Sequence, residues 1–298
     1  MKRTHLSWGT SLLLVAALVL YYVLENGRQT GPSPPPGPSQ NPAEVGYPHL
    51  RWGNPSGADA GNRDNYLMEK KYYALSYNNT KGTPNWVSWR LVREDLGDAD
   101  REGLVFQPDD GLPGGFKRIV TEEYSGSGFD RGHMCPAADR GSDMEALKAT
   151  FVMTNVVPQS AANNEKGWEK FESYCRSLAE DGKELYVVSG PQGQGGKSRG
   201  KSADFIAHGQ VVVPAKTWKV VMELGRGGAV DANTRLIAVV MPNDETVDNN
   251  WGKYRVAVRA VEQLTGYHFF DRADPAVLDP LKEQADASPI PPPREHHR

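Results

Sequence analysis

Hydrophobic positions fall into three kinds of run along this chain. Residues 6–24, LSWGTSLLLVAALVLYYVL, carry no charged side chain, and a run of that length can cross a bilayer. Further on, the apolar runs are shorter and rich in Val, Tyr and Trp: YYALSY (72–77), WVSWRLV (86–92), TFVMTNVV (150–157), ELYVVSG (184–190), VVVPAKTWKVVMEL (211–224) and RLIAVVM (235–241). Bounded by Gly, Asn or Pro, they predict β-strands. A third pattern has helical steps. Trp168, Phe171, Cys175 and Leu178 recur every three or four positions within 164–179, and 252–264 has a similar period. Strands that follow one another, with few helices long enough for crossovers, predict an α+β domain: a mixed or antiparallel central sheet flanked by helices.

The polar positions set the boundaries. Lys2 and Arg3 precede the first apolar run, which leaves through Tyr21, Tyr22, Val23, Leu24 and Glu25 without a small-residue cleavage site. Residues 1–26 therefore read as an uncleaved signal anchor that holds the rest of the chain outside the cytoplasm, with a cleaved, secretory signal as the alternative. Residues 27–48, GRQTGPSPPPGPSQNPAEVGYP, have the composition of a stiff spacer. The Pro-rich, charged end, residues 276–298, reads as a disordered tail, which places His296 and His297 in solvent rather than in a site. The folded unit is expected at residues 49–275.

A hydrophobic fraction of 38% supports a packed core, and a formal net charge of −3 excludes a protein that coats nucleic acid by bulk positive charge. Any polyanion must be gripped locally. The chain has two cysteines, which excludes a Cys-rich zinc site.

Local grip is offered by DRGHMCPAADR, residues 130–140. In an extended segment Arg131 and His133 share a face, with Gly132 removing bulk between them. A guanidinium is shaped for phosphate, and an imidazole takes a proton near neutral pH. Structural packing residues would satisfy the same three letters. A second stretch, TNVVPQSAANNEKGWEKFE (154–172), runs from a strand into the expected helix. Asn163 or Asn164 suits an N-cap. Equally, an amide oxygen at a helix mouth is a hard, neutral ligand for magnesium, which keeps most of its waters. Glu172 lies about 80° round that helix and about 12 Å along it from Asn164, so both cannot bind one ion directly.

Together these stretches resemble the DNA/RNA non-specific endonuclease family, the ββα-metal nucleases. The resemblance rests on DRGH (130–133), TNVVPQ (154–159), the spacing of Asn164, Trp168 and Glu172, and an upstream REGLVFQPD (101–109). It implies a ββα-metal active-site motif, an endonuclease acting on DNA and RNA with little sequence preference, and a cofactor of Mg2+ or another divalent cation such as Mn2+. It implies His133 as general base, Asn164 as the direct metal ligand, and Arg101 and Arg131 as phosphate contacts. Glu172 matches the acid that organises the hydrated metal, and Asn155 an asparagine supporting the site. A homodimer is left open.

Three further features stand beside this reading. Cys135 and Cys175 could meet and form a disulfide in an oxidising compartment, or remain two buried thiols. Residues 195–202, GGKSRGKS, fit the G-x-x-x-x-G-K-[ST] phosphate cradle, but no substantial helix is expected after them. A mobile, basic hairpin-like loop whose Lys197, Arg199 and Lys201 touch a nucleic-acid backbone fits better. A membrane-anchored nucleic-acid receptor without catalysis is the reading from another class; it has no use for a base beside a metal ligand.

Overall fold

The computed structural model describes residues 48–225 and 227–291. The anchor and spacer readings, up to residue 47, and His296 and His297 lie outside these described residues. Among the described residues no helix is long and apolar enough to cross a membrane.

The strands run in chain order as β1 (Tyr66–Glu69), β2 (Ala74–Asn78), β3 (Thr83–Leu91), β4 (Asp130–His133), β5 (Val156–Gln159), β6 (Lys183–Gln192), β7 (Gly196–Ser198), β8 (Lys201–Ala203), β9 (Phe205–Ile206), β10 (Val211–Val212), β11 (Lys216–Gly225), β12 (Arg235–Pro242) and β13 (Arg255–Val256). The helices are α1 (Met144–Ala149), α2 (Glu169–Glu180), α3 (Val258–Thr265) and α4 (Pro275–Lys282). A seven-stranded sheet in the order β1-β2-β3-β6-β11-β12-β13 forms the spine, and its ladders are antiparallel throughout.

Alternation along the central strands sorts side chains into two cores. On one face Val87, Trp89, Leu185, Val187, Val221 and Val239 pack with Trp168, Phe171 and Cys175 of the helix leading through α2. On the other, Trp86, Tyr186, Val188, Trp218 and Val220 pack with Val258, Val261, Phe269 and Leu278 around α3 and α4. The two-stranded pair β4–β5 and α2 are both inserted between the neighbouring strands β3 and β6. The site region is thus mounted on the middle of the sheet, on its first face.

Two expectations are corrected here. The helical period at 252–264 resolves into a short 3-10 turn (Trp251–Tyr254), the β13 pairing with β12, and α3 from Val258. Arg255 holds that strand in place through Asp286 and the Ser288 carbonyl. Residues 276–291 are not a disordered tail: α4 buries Leu278, Asp286 takes two hydrogen bonds from Arg235 (2.9 Å each), and Ile290 packs against the first-face core. The hairpin-like basic loop expected at 195–202 is a β-hairpin, with Gly196 opposite Ala203 and Ser198 opposite Lys201. No helix follows it, so the phosphate-cradle reading falls.

Candidate active site

β4 and β5 pair with Asp130 opposite Gln159 and His133 opposite Val156. The chain then turns through Ser160 into a single turn of π-helix, Asn163–Trp168, which continues as α2. π-turns insert an extra residue and recur at functional sites; this one carries Asn164. Gly132 is required by close approach, because a Cβ there would lie 1.9 Å from the Gln159 side-chain oxygen. Gln159 in turn reaches Asn163, whose Nδ2 donates to Thr217 Oγ1 (3.0 Å) and the Pro242 carbonyl (2.8 Å). Strand pair, π-turn and central sheet are therefore tied by one amide network.

His133 is half-buried, wedged between the rings of Phe106 (4.8 Å between centroids) and Phe151 (5.0 Å). Its Nε2 is buried and has no hydrogen-bond partner. Burial, aided by the positive charge of Arg101, lowers its pKa to about 4, so the ring is neutral at pH 7. Arg101 itself is exposed. Arg131 shares the β4 face but is anchored: its Nη2 and Nε donate to the Thr121 carbonyl (2.7 and 3.3 Å), and its guanidinium lies 6.0 Å from the Tyr124 ring centroid. Asn155 is fully buried. Its side chain closes a double hydrogen bond on Cys135 (2.9 Å from the amide, 2.9 Å to the carbonyl) and reaches the Thr150 carbonyl (3.0 Å), fixing the chain just after His133.

Asn164 is half-buried, and its Nδ2 donates to Asp130 Oδ2 (3.1 Å). An ionised carboxylate only accepts, so this contact turns the amide nitrogen inward and leaves Oδ1 unengaged. Asp130 is a site residue to which the sequence reading gave no role, although it heads the DRGH motif. Its other oxygen accepts from Arg199 (2.8 Å). Glu172 lies deeper, its Oε1 accepting from Lys219 Nζ (2.7 Å), and burial pushes its carboxyl above the usual range against the pull of Lys219 and Arg176. Arg176, one turn beyond Glu172, pairs with the buried Asp139 (3.2 Å). Lys219 and Arg176 were also missed: one is hidden in an apolar run and the other on the polar side of a helical period.

The other named residues are placed as follows. Cys135 and Cys175 are both buried and free, and burial pushes the Cys135 thiol well up and the Cys175 thiol up to about 12. Lys197 pairs with Glu245 (3.2 Å), and Lys201 donates to the Gly126 carbonyl (2.9 Å). The hairpin cations thus all have protein partners.

Among the described residues no group of three or more His, Cys, Asp and Glu side chains could hold a metal ion. The donors present suit a hard cation that keeps its waters: one unengaged, oriented amide oxygen, with a buried carboxylate on the same helix.

Comparison with known proteins places the chain in a family. Residues 56–276 match the family described as DNA/RNA non-specific endonuclease. A protein of Nostoc sp. named "Nuclease" is 47% identical over 244 residues, which cover 80% of this chain and 86% of the relative. The human mitochondrial nuclease EXOG is 35% identical over 209 residues, 68% of this chain and 56% of its own length. A solved structure of an EndoG/EndoGI complex, on the mechanism of EndoG inhibition, superposes with a TM-score of 0.65 at 27% identity, covering 77% of this chain and 92% of that one. The chain belongs to the DNA/RNA non-specific endonuclease family and is a nuclease.

Proposed function

We propose that this nuclease is a metal-dependent endonuclease that hydrolyses phosphodiester bonds of DNA and RNA with little sequence preference, using His133 as its general base. The observation that carries this reading is the neutral His133, whose Nε2 is sealed off without a partner. With Nε2 covered and carrying the ring hydrogen, Nδ1 keeps the lone pair that can take a proton from the attacking water. Arg101, close enough to lower the His133 pKa, and Arg131 hold the phosphate and offset the charge that develops on it. β4, β5 and α2 form the ββα-metal unit, with Asn164 Oδ1 as the direct ligand and Glu172 organising the hydrated cation through Oε2, since Oε1 is taken by Lys219. A bound Mg2+ or Mn2+ supplies positive charge to the departing oxygen. Residues 6–24 support export with the domain displayed outside the cytoplasm.

Incubating the protein with plasmid and with RNA, in magnesium or in EDTA, tests this. Cleavage of both polymers in magnesium alone is expected; retention of DNA without cutting, or ATP turnover, would overturn it. The acid limb of kcat/KM is expected near pH 4 rather than near 6.5, because burial has already moved the base.

A further inference from the structure

β11 reaches the helix mouth at two points of one face. Thr217 and Lys219 are two apart, so both project toward the first-face core. Thr217 Oγ1 accepts from Asn163 Nδ2 (3.0 Å). Lys219 is 1% exposed, and its Nζ donates to Glu172 Oε1 (2.7 Å) while lying 4.3 Å from the Trp168 ring centroid and 5.3 Å from that of Trp89. Asn164 stands between the two anchored stretches, one residue after Asn163 and on the π-turn that ends at Trp168.

A lysine buried this far from water is tolerated only with a charge partner and good company for its remaining N–H groups. One carboxylate and two indole faces meet that need. The consequence runs in the other direction too. The ammonium fixes which Glu172 oxygen is spent inside the core, and by gripping Trp168 it fixes the axial position of the turn that presents Asn164. A neutral side chain of the same length would leave Glu172 free to rotate and Trp168 without its cation.

We infer that Lys219 is a positioning residue of this active site: held between Trp89 and Trp168, it aims Glu172 and the Asn164 turn at one cation. This rests on the reading of Asn164 and Glu172 given above. It is a role exercised through other residues, since Lys219 has no exposed surface with which to touch substrate.

The test is Mn2+ affinity of the full-length chain, read from the electron paramagnetic resonance signal of free Mn2+, with no turnover required. Asn164→Ala checks the underlying reading: unchanged affinity there overturns the metal assignment itself, whatever Lys219 does. Given a loss with Asn164→Ala, Glu172→Gln is expected to weaken Mn2+ binding by about 10-fold, the size usual for residues that orient a metal site. Lys219→Met is expected to weaken it by a similar factor, and Lys219→Arg to restore binding to within about threefold. The Lys219→Met/Glu172→Gln double variant removes both charges, so it is expected to fold even if Lys219→Met alone does not, and to bind Mn2+ no worse than Glu172→Gln. Wild-type affinity in Lys219→Met, or a further 10-fold loss in the double variant relative to Glu172→Gln, would overturn the inference.

Discussion

The two faces of the central sheet are built to different rules. On the face under α3 and α4, the middle of the sheet meets an apolar layer of Trp86, Val188, Trp218, Val220 and Phe269, the Arg90–Glu184 pair (2.6 Å) lies towards the ends of β3 and β6, and the buried pair of Lys282 with Glu262 joins the two covering helices to each other. On the face under β4, β5 and α2, charged side chains reach the sheet itself: Lys219, Glu172, Asp139 and Arg140 are all largely withdrawn from water. Buried ion pairs are poor sources of stability, whereas apolar packing is a good one. The first arrangement holds the fold and the second holds groups at set positions.

Substitutions can break that division of labour. His133→Ala should lower kcat by about 10²- to 10⁴-fold while leaving DNA binding close to wild type, with some loss of thermal midpoint as the ring leaves its place between Phe106 and Phe151. A fully active variant would sink the assignment. Trp218→Ala, on the opposite face and fully buried, should cost about 3–5 kcal/mol in urea unfolding, yet leave turnover per folded molecule unchanged. A specific loss of turnover would show that the faces are not separate.

Acid offers a finer comparison, because two histidines, the buried His49 and the half-buried His133, are held neutral. His49, which accepts from the Arg90 amide (3.2 Å) and faces the Lys71 carbonyl (3.0 Å), is lowered by burial to about 4, as is His133. Both folded-state values lie below the unfolded value of 6.5, so well above that pH neither state binds the proton and these two groups add no pH dependence. As pH falls from 6.5 toward 4 the unfolded chain takes up protons that the folded chain refuses, and stability is lost. For His49 the shift corresponds to about 3 kcal/mol at full extent. Replacing either histidine by glutamine should make the fall of the unfolding midpoint across this window shallower. No change in slope for His49→Gln would refute its share.

The smallest effect is expected at Gly132→Ala. The added Cβ would overlap the Gln159 side chain and should cost about 1–3 kcal/mol, with kcat falling as the β4–β5 pair shifts. A variant as stable and active as wild type would mean that Gln159 is free to move.

Much of this division was legible in the chain. All six Val- and Trp-rich runs contain strand, because period-two burial against two cores needs branched and aromatic residues, though TFVMTNVV pairs only at its end, in β5. His133, Asn164, Asn155 and Arg131 could be proposed from the sequence because their motifs are contiguous or closely spaced. Lys219 was not, since a lysine alternating with apolar residues normally marks the wet side of a strand; only the central place of β11 buries it. Asp130 was overlooked because its partners, Asn164 and Arg199, come from distant segments. The π-turn left no trace in the periodicity, and proline content concealed the order of residues 276–291, whose anchors are single residues paired with far-off arginines.

Those residues have a practical meaning for where the family domain can be cut. The family match stops at residue 276, but a chain cut there would lose most of α4 together with Asp286, leaving Arg235 and Arg255 without the carboxylate they share. It would also strip Ala285 from its bridge to Ala257 beside β13, a two-residue strand at the margin of the sheet. Unpaired margins invite pairing with other chains. Shortening the protein to its recognisable family segment should therefore promote self-association, with residues 277–286 acting as a built-in guard against aggregation.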